Sequence, residues 1–293
     1  MEITKEYRII KQLGKQSVRK FGEVYLVEHK ESGKHAVLKA VRKGPKSAQQ
    51  MERLKQESTF NFDFPGLPKV IHFEQTDQEA LLLKDFEEGI PLIDYFGQIK
   101  RKEQLNFLGD FLDKFRPIFE HYTSIGIVHC DLKPSNILIH QNENGFDIKL
   151  IDFGLAIDSK NLEDRSILFP LGFAAPELLL NHLDLIDHRT DIYSLGIICW
   201  RLLADQLPLA HPNPSIFTNL QLTHPLPESA YISKSTYEVL RKMCNKKSFE
   251  IPPNRMETNE VRQGLIEGIG GRYESLDAAI KDLRLTKRKR LFF

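Results

Sequence analysis

The stretch IVHCDLKPSNILI, Ile127 to Ile139, sets Asp131, Lys133 and Asn136 into a run of apolar, strand-like residues. A second acid follows close behind. NILIH (136–140) and DIKLID (147–152) are β-rich runs joined by QNENGF, whose Asn144-Gly145 pair predicts a hairpin turn. IDFG, Ile151 to Gly154, closes that hairpin and delivers Asp152 to the sheet end where Asp131 and Asn136 stand. Carboxylate and amide oxygens grouped this way suit Mg²⁺, a hard cation that keeps some of its waters and shares its coordination with phosphate oxygens. The residues alone therefore point to a metal-phosphate site.

On the N-terminal side the pattern changes twice. From Tyr7 to about Leu83 the chain reads as strands, with EVYLVEH and HAVLKAV joined by KESGK, then KVIHFEQ and ALLLKDF. One helix interrupts them: Ser47 and Gln50 form a capping-box pair, and Met51, Leu54 and Ser58 share a face, with Glu52 and Glu57 on others. Past EEGIP the period becomes 3.6, as Leu105, Leu108, Leu112, Phe115 and Phe119 recur on one helical face, with a kink expected at Pro117. From Pro176 onward the chain reads as helical, and it shows neither an internal repeat nor a low-complexity linker. The expected architecture is α+β and bilobal, a small β-rich N-lobe over about 1–84 and a larger helical C-lobe over about 90–285, with a basic tail at 286–293.

Composition narrows the function classes. A chain of 293 residues, 41% hydrophobic and 28% charged, is long enough to bury a sizeable core, and its net charge of +1 gives no general attraction to nucleic acid or to anionic membranes. IYSLGIICWRLLA, 192–204, is interrupted by Arg201 and is too short for about 30 Å of hydrocarbon, so it reads as a buried helix. The start MEITKEYRII has no basic segment followed by an apolar run, which predicts a cytoplasmic protein. Three widely spaced cysteines, Cys130, Cys199 and Cys244, fit free thiols in a reducing compartment better than a disulfide framework or a zinc site.

HCDLKPSN and IDFG resemble the catalytic loop H-R-D-x-K-P-x-N and the metal-binding D-F-G of the eukaryotic-like, Hanks-type protein kinase family, with Cys130 in place of the arginine, a non-RD loop. AVLK at Ala36 to Lys39 resembles V-A-I-K. AAPE at Ala174 to Glu177 resembles the end of an activation segment, DIYSLG at 191–196 the helix that anchors the catalytic loop, and PPNRM around Arg255 the late arginine that pairs with the A-P-E glutamate. The resemblance extends over nearly the whole chain and implies a single kinase domain, 1–293, that uses ATP with Mg²⁺, or Mn²⁺ in its place, on a protein substrate. It implies Asp131, Lys133, Lys39 and Glu57 as catalytic residues and Asn136 and Asp152 as metal ligands. For the nucleotide it implies Gly14, Gly22, Val24, Ala36, Lys39, Leu83, Lys84, Asp85, Phe86 and Leu138, with Leu83 as gatekeeper and Lys84 as its alternative. His129 is expected to serve the core rather than to act as a base or ligand.

The chain also departs from the family pattern. LGKQSVRKFGEVY keeps only Gly14 and Gly22 of the glycine-rich loop and adds Lys15, Arg19 and Lys20, a longer, basic flap. The segment from Asp152 to Glu177 offers only Ser159 and Ser166 as hydroxyls, and Cys130 cannot make the contact an arginine makes with a phosphorylated segment. Lys133-Pro134 resembles serine/threonine kinases, whereas FPLGFAAPE has features of tyrosine kinases; the loop, beside the reacting group, is weighted more. A pseudokinase scaffold and a small-molecule kinase on a related fold are the alternative readings.

Overall fold

The computed structural model describes residues 2–13, 22–45, 47–160, 169 and 171–289. The first lobe begins with a short helix α1 (Glu2–Glu6) and strands β1 (Tyr7–Gln12), β2 (Glu23–His29) and β3 (His35–Arg42). Helix α2 (Ser47–Thr59) follows, then β4 (Val70–Gln75) and β5 (Glu79–Asp85). The five strands form one antiparallel sheet in the order β1-β2-β3-β5-β4.

Alternation along these strands sorts the side chains between two faces, because neighbours in a strand point to opposite sides. Val27, Ala36, Leu38, Leu81 and Leu83 pack under Ile3 of α1 on one face. On the other, Val41, Ala80 and Leu82 pack against Met51 and Leu54 of α2. Glu57 lies on that same helical face and is buried, not turned away from it as its position in the sequence had suggested.

A two-residue strand β6 (Ile90–Pro91) leads into α3 (Leu92–Gly97) and the long α4 (Gln104–Ser124), which continues through Pro117 for a further seven residues. Phe107, Leu108, Phe111, Leu112, Phe115 and Phe119 of α4 enter the main core of the second lobe. The period-3.6 pattern predicted Leu108, Leu112, Phe115 and Phe119; Leu105 is only partly buried, and Phe107 and Phe111 join the face beside them. Strand β7 (Ile127–Val128) comes next, then the hairpin of β8 (Ile137–Asn142) and β9 (Gly145–Leu150). Its turn is Glu143-Asn144, with Asn142 paired to Gly145, so Gly145 opens β9 at φ +115° instead of forming the turn itself. β10 (Ile157–Asp158) pairs with β7.

The remaining helices are α5 (Pro176–Leu179), α6 (His188–Ala204), α7 (Pro214–Thr223), α8 (Lys234–Met243), α9 (Thr258–Gly270) and α10 (Leu276–Lys289). Helix α6 is the buried helix read from IYSLGIICWRLLA, enclosed on nearly all sides from Thr190 to Trp200. The Asp187 side chain caps its start by accepting from the Arg189 N–H, which satisfies one of the unpaired donors of a first helical turn. Among the described residues no helix is long and apolar enough to cross a membrane.

Candidate active site

The loop between β7 and β8 is held from below. At the start of α6, Asp191 accepts hydrogen bonds from the backbone N–H of His129 (2.7 Å) and Cys130 (3.0 Å) and from the Tyr122 hydroxyl (3.2 Å). Burial pushes its pKa up to about 6, against the pull of these three donors. With its N–H so fixed, Cys130 takes φ +61°, a conformation that side chains with a Cβ rarely adopt. His129 is fully buried. Its Nδ1 accepts the Asp131 N–H at 3.2 Å, its ring lies 4.6 Å from that of Phe153, and burial pulls its pKa down to about 3. The imidazole is thus a neutral prop under the loop, as the sequence had suggested.

Asp131 faces upward from this prop. Its Oδ2 accepts from Lys133 Nζ at 2.7 Å and from Asn136 Nδ2 at 3.0 Å, while Oδ1 is buried with no hydrogen-bond partner among the described residues. Burial raises its pKa although Lys133 opposes the shift. Asn136 also donates to the Asp131 carbonyl at 2.9 Å, which leaves its amide oxygen free of these bonds. A one-turn 3₁₀ helix over Pro134–Asn136 sets that reach, and Ile151 N–H donates to the Asn136 carbonyl, so β8, β9 and the Asp152 segment are joined at one point.

Across the cleft, Lys39 of β3 donates to both Glu57 oxygens, at 2.6 and 2.7 Å, and to Asp152 Oδ1 at 3.0 Å. Burial disfavours the Lys39 charge, but the Asp152 and Glu57 carboxylates outweigh it and hold its pKa above the usual lysine value. Burial likewise opposes ionisation of Asp152, yet Lys39, Lys84 and the Gly154 N–H keep its pKa well below the ordinary carboxylate range. Of the two glutamates on α2, Glu57 makes this pair, and Glu52 is exposed and next to Lys55 at 3.9 Å.

The strand register moves two residues out of the expected nucleotide lining. Ala36 and Leu83 lie in the outer cluster with Ile3, on the face opposite Lys39. Val37 and Lys84, a cross-strand pair, take their places on the Lys39 face, together with Val24, which pairs directly with Lys39. Leu138 is buried but outside the core to which its neighbours Ile137 and Ile139 belong, in contact range of Gly89. Asp85 is exposed at the end of β5, and the Phe86 ring meets that of His35 edge-on at 5.9 Å. Gly22 has φ +100°, and a Cβ there would stand 2.5 Å from the Ala40 carbonyl oxygen, so only glycine lets the chain pass this close to β3. Gly14 and the cations Lys15, Arg19 and Lys20 lie outside the described residues.

The support beneath α5 also departs from the motif. Arg255 is exposed, in a short 3₁₀ turn, and does not pair with Glu177. The partner is Arg272, whose guanidinium binds the Glu177 carboxylate with two bonds, 2.6 and 2.9 Å, and stacks 4.9 Å from the Tyr193 ring centroid. Thr190 Oγ1 adds a third bond to Glu177 at 2.8 Å. Nothing local in GGRYESL announces this role.

The match to known families agrees with the geometry: residues 7–263 correspond to the protein kinase domain. The chain belongs to the protein kinase family. This kinase is 28% identical over 222 residues to the serine/threonine-protein kinase pkn2 of Myxococcus xanthus, an overlap of 72% of this chain and 26% of that protein. It is 27% identical over 270 residues to ribosomal protein S6 kinase alpha-6 of Mus musculus, covering 88% of this chain and 33% of that one. It is also 27% identical over 267 residues to the carbon catabolite-derepressing protein kinase of Candida glabrata, with 88% and 40% covered. The kinase thus spans between about a quarter and two fifths of the length of these relatives.

Proposed function

We propose that this kinase transfers the γ-phosphoryl group of ATP, with Mg²⁺ or in its place Mn²⁺, to serine or threonine hydroxyls of a protein substrate, with residues 1–293 acting as one catalytic domain. The observation that carries the reading is two side-chain groups, Lys39–Glu57–Asp152 and Asp131–Lys133–Asn136, joined where the Ile151 N–H donates to the Asn136 carbonyl. Phosphoryl transfer asks a protein mainly for positioning and for charge stabilisation, and these side chains offer both.

The metal reading fits the donors present. Asp152 and the Asn136 amide oxygen are hard oxygen ligands, and among the described residues no cluster of three or more His, Cys, Asp or Glu forms a cage of its own. A site of two protein oxygens completed by phosphate and water is the usual one for Mg²⁺, which when bound would neutralise phosphate charge. Lys39 would reach the α- and β-phosphates from its place beside Glu57. Asp131, with Oδ1 unpartnered, would accept or orient the proton of the attacking hydroxyl, and Lys133 would steady the transferring group.

The non-RD loop belongs to the same proposal. Cys130 lies in an apolar cluster with Leu155, Ile157, Phe169, Ala174 and Leu178, so packing anchors the segment where an arginine would bind phosphate. Activity independent of segment phosphorylation follows, and Ser159, which donates to the Gly126 carbonyl at 2.7 Å, and Ser166, outside the described residues, are dispensable in this reading. Three buried free thiols favour a reducing, cytoplasmic setting. Incubation with labelled ATP, Mg²⁺ and a generic protein substrate, with Asp152→Asn as control and mass spectrometry of the products, tests the whole. Phosphoserine or phosphothreonine that vanishes in the control is the expected result; absence of transfer by the unaltered protein would sink it.

A further inference from the structure

Helix α2 meets β5 along a short zip. Ala80, Leu82 and Lys84 project from one face of the strand, and Met51, Leu54 and Glu57 from one face of the helix. The first members of each row form an apolar cluster, and the row ends on an ion pair, Lys84 Nζ to Glu57 Oε1, with both side chains about 95% buried. The same ammonium donates to the Ile151 carbonyl at 3.2 Å, one residue before Asp152. Glu57 therefore holds two lysines, Lys39 and Lys84, and Lys84 joins three separate pieces of chain: the sheet, α2 and the Asp152 segment.

We propose that Lys84 is a positioning residue for phosphoryl transfer, a second ammonium that keeps Glu57 and α2 in place independently of Lys39; this rests on the kinase reading above. Two lysines and two carboxylates, Glu57 and Asp152, balance in charge. With Glu57 secured by Lys84, Lys39 can turn toward phosphate without releasing the helix. A single lysine would have to serve the helix and the phosphate together. The arrangement competent for transfer is thus assembled by the chain's own residues, which agrees with the apolar anchoring of the segment around Cys130.

The test compares Lys84→Met, Lys84→Arg and Lys39→Met with the unaltered kinase. Methionine keeps the unbranched stem without the ammonium and leaves Lys39 as the one cation shared between Glu57 and Asp152. In Lys84→Met, kcat is expected to fall by about tenfold or more with the KM for ATP within about threefold, and α2 amides to exchange about tenfold faster. Lys84→Arg restores both. In Lys39→Met, transfer is lost while α2 protection stays within about threefold of the unaltered protein, because Lys84 still holds Glu57. Unchanged α2 exchange in Lys84→Met overturns the proposal, even if kcat falls, since Lys84 would then act on the nucleotide and not through Glu57. Should Lys84→Met fail to fold, Lys39→Met decides: deprotection of α2 there by about tenfold or more overturns the proposal, and retained protection supports it. Should the unaltered protein transfer no phosphate, the kinase reading fails by itself and the exchange measurements still judge Lys84.

Discussion

Two buried ion-pair systems serve this kinase in different ways. In the cleft, Lys39 is divided between Glu57 and Asp152, and the Asp152 side chain keeps 38% of its exposure. Under α5, Arg272 and Glu177 are 1% and 0% exposed and make a two-bonded pair closed by Thr190 and Tyr193. The Lys39 system has more partners than one lysine needs and lies next to solvent, so on the proposed function its bonds would be exchanged for phosphate. The sealed pair has nothing to exchange with. It fixes α5, and with it the end of the activation segment, against the start of α6 and the turn after α9. Removing a member of the first should affect rate, and removing a member of the second should affect stability.

The largest effect expected is on rate. Asp152→Asn keeps the shape and the Gly154 N–H bond but removes the charge on the metal side, and transfer should fall by at least about a thousandfold, ~4 kcal/mol of barrier. Its urea midpoint should move little, because Lys39 keeps Glu57; a large loss of stability instead would erase the contrast between the systems. Arg272→Met comes next. It strands the Glu177 carboxylate in the interior and should destabilise by about 3–5 kcal/mol in chemical denaturation. Near-native stability in that variant would mean that the sealed pair contributes little.

Acid sharpens the comparison, because the groups under the catalytic loop titrate in opposite directions. His129 has its folded pKa lowered to about 3, so its contribution is complete above the unfolded value of 6.5 and is lost as pH falls from there. Asp191, raised to about 6, runs the other way, favouring the folded state increasingly as pH falls through 6 toward 3.8. His129→Asn can still accept the Asp131 N–H and removes only the first of these titrations. From pH 7 to pH 4.5 the variant should lose about 2.5 kcal/mol less stability than the unaltered kinase, measured by urea titration at both values. Equal losses would assign acid sensitivity elsewhere. The smallest effect expected is that of Arg255→Ala, within about 0.5 kcal/mol of the unaltered protein, as for an exposed side chain away from the pair. A loss comparable to that of Arg272→Met would return Arg255 to the role its motif suggested.

Much of the site could be read from short runs. HCDLKPSN and IDFG place Asp131, Lys133, Asn136 and Asp152 within about one hairpin of each other, so a local turn suffices to assemble them. The family resemblance implies Glu57, although the helical pattern puts it on the wrong face, because a buried acid does not register in a periodicity of apolar residues. The resemblance offers Lys84 as a gatekeeper alternative, but nothing local announces its contact with Glu57, 27 residues away on α2.

The β-rich first lobe, the helical second lobe and the β8–β9 hairpin are legible in the chain, because periodicity and turn chemistry act over a few residues, and the roles of the HCDLKPSN residues follow from the family resemblance. Which face each strand residue occupies, and which distant charges meet, depends on how the elements pack. In a strand a difference of one position reverses the side of the sheet, which exchanged Ala36 for Val37 and Leu83 for Lys84. Glu177 finds Arg272 across 95 residues because both are buried at the same place between α5 and α6, and desolvation, not spacing, requires them to pair.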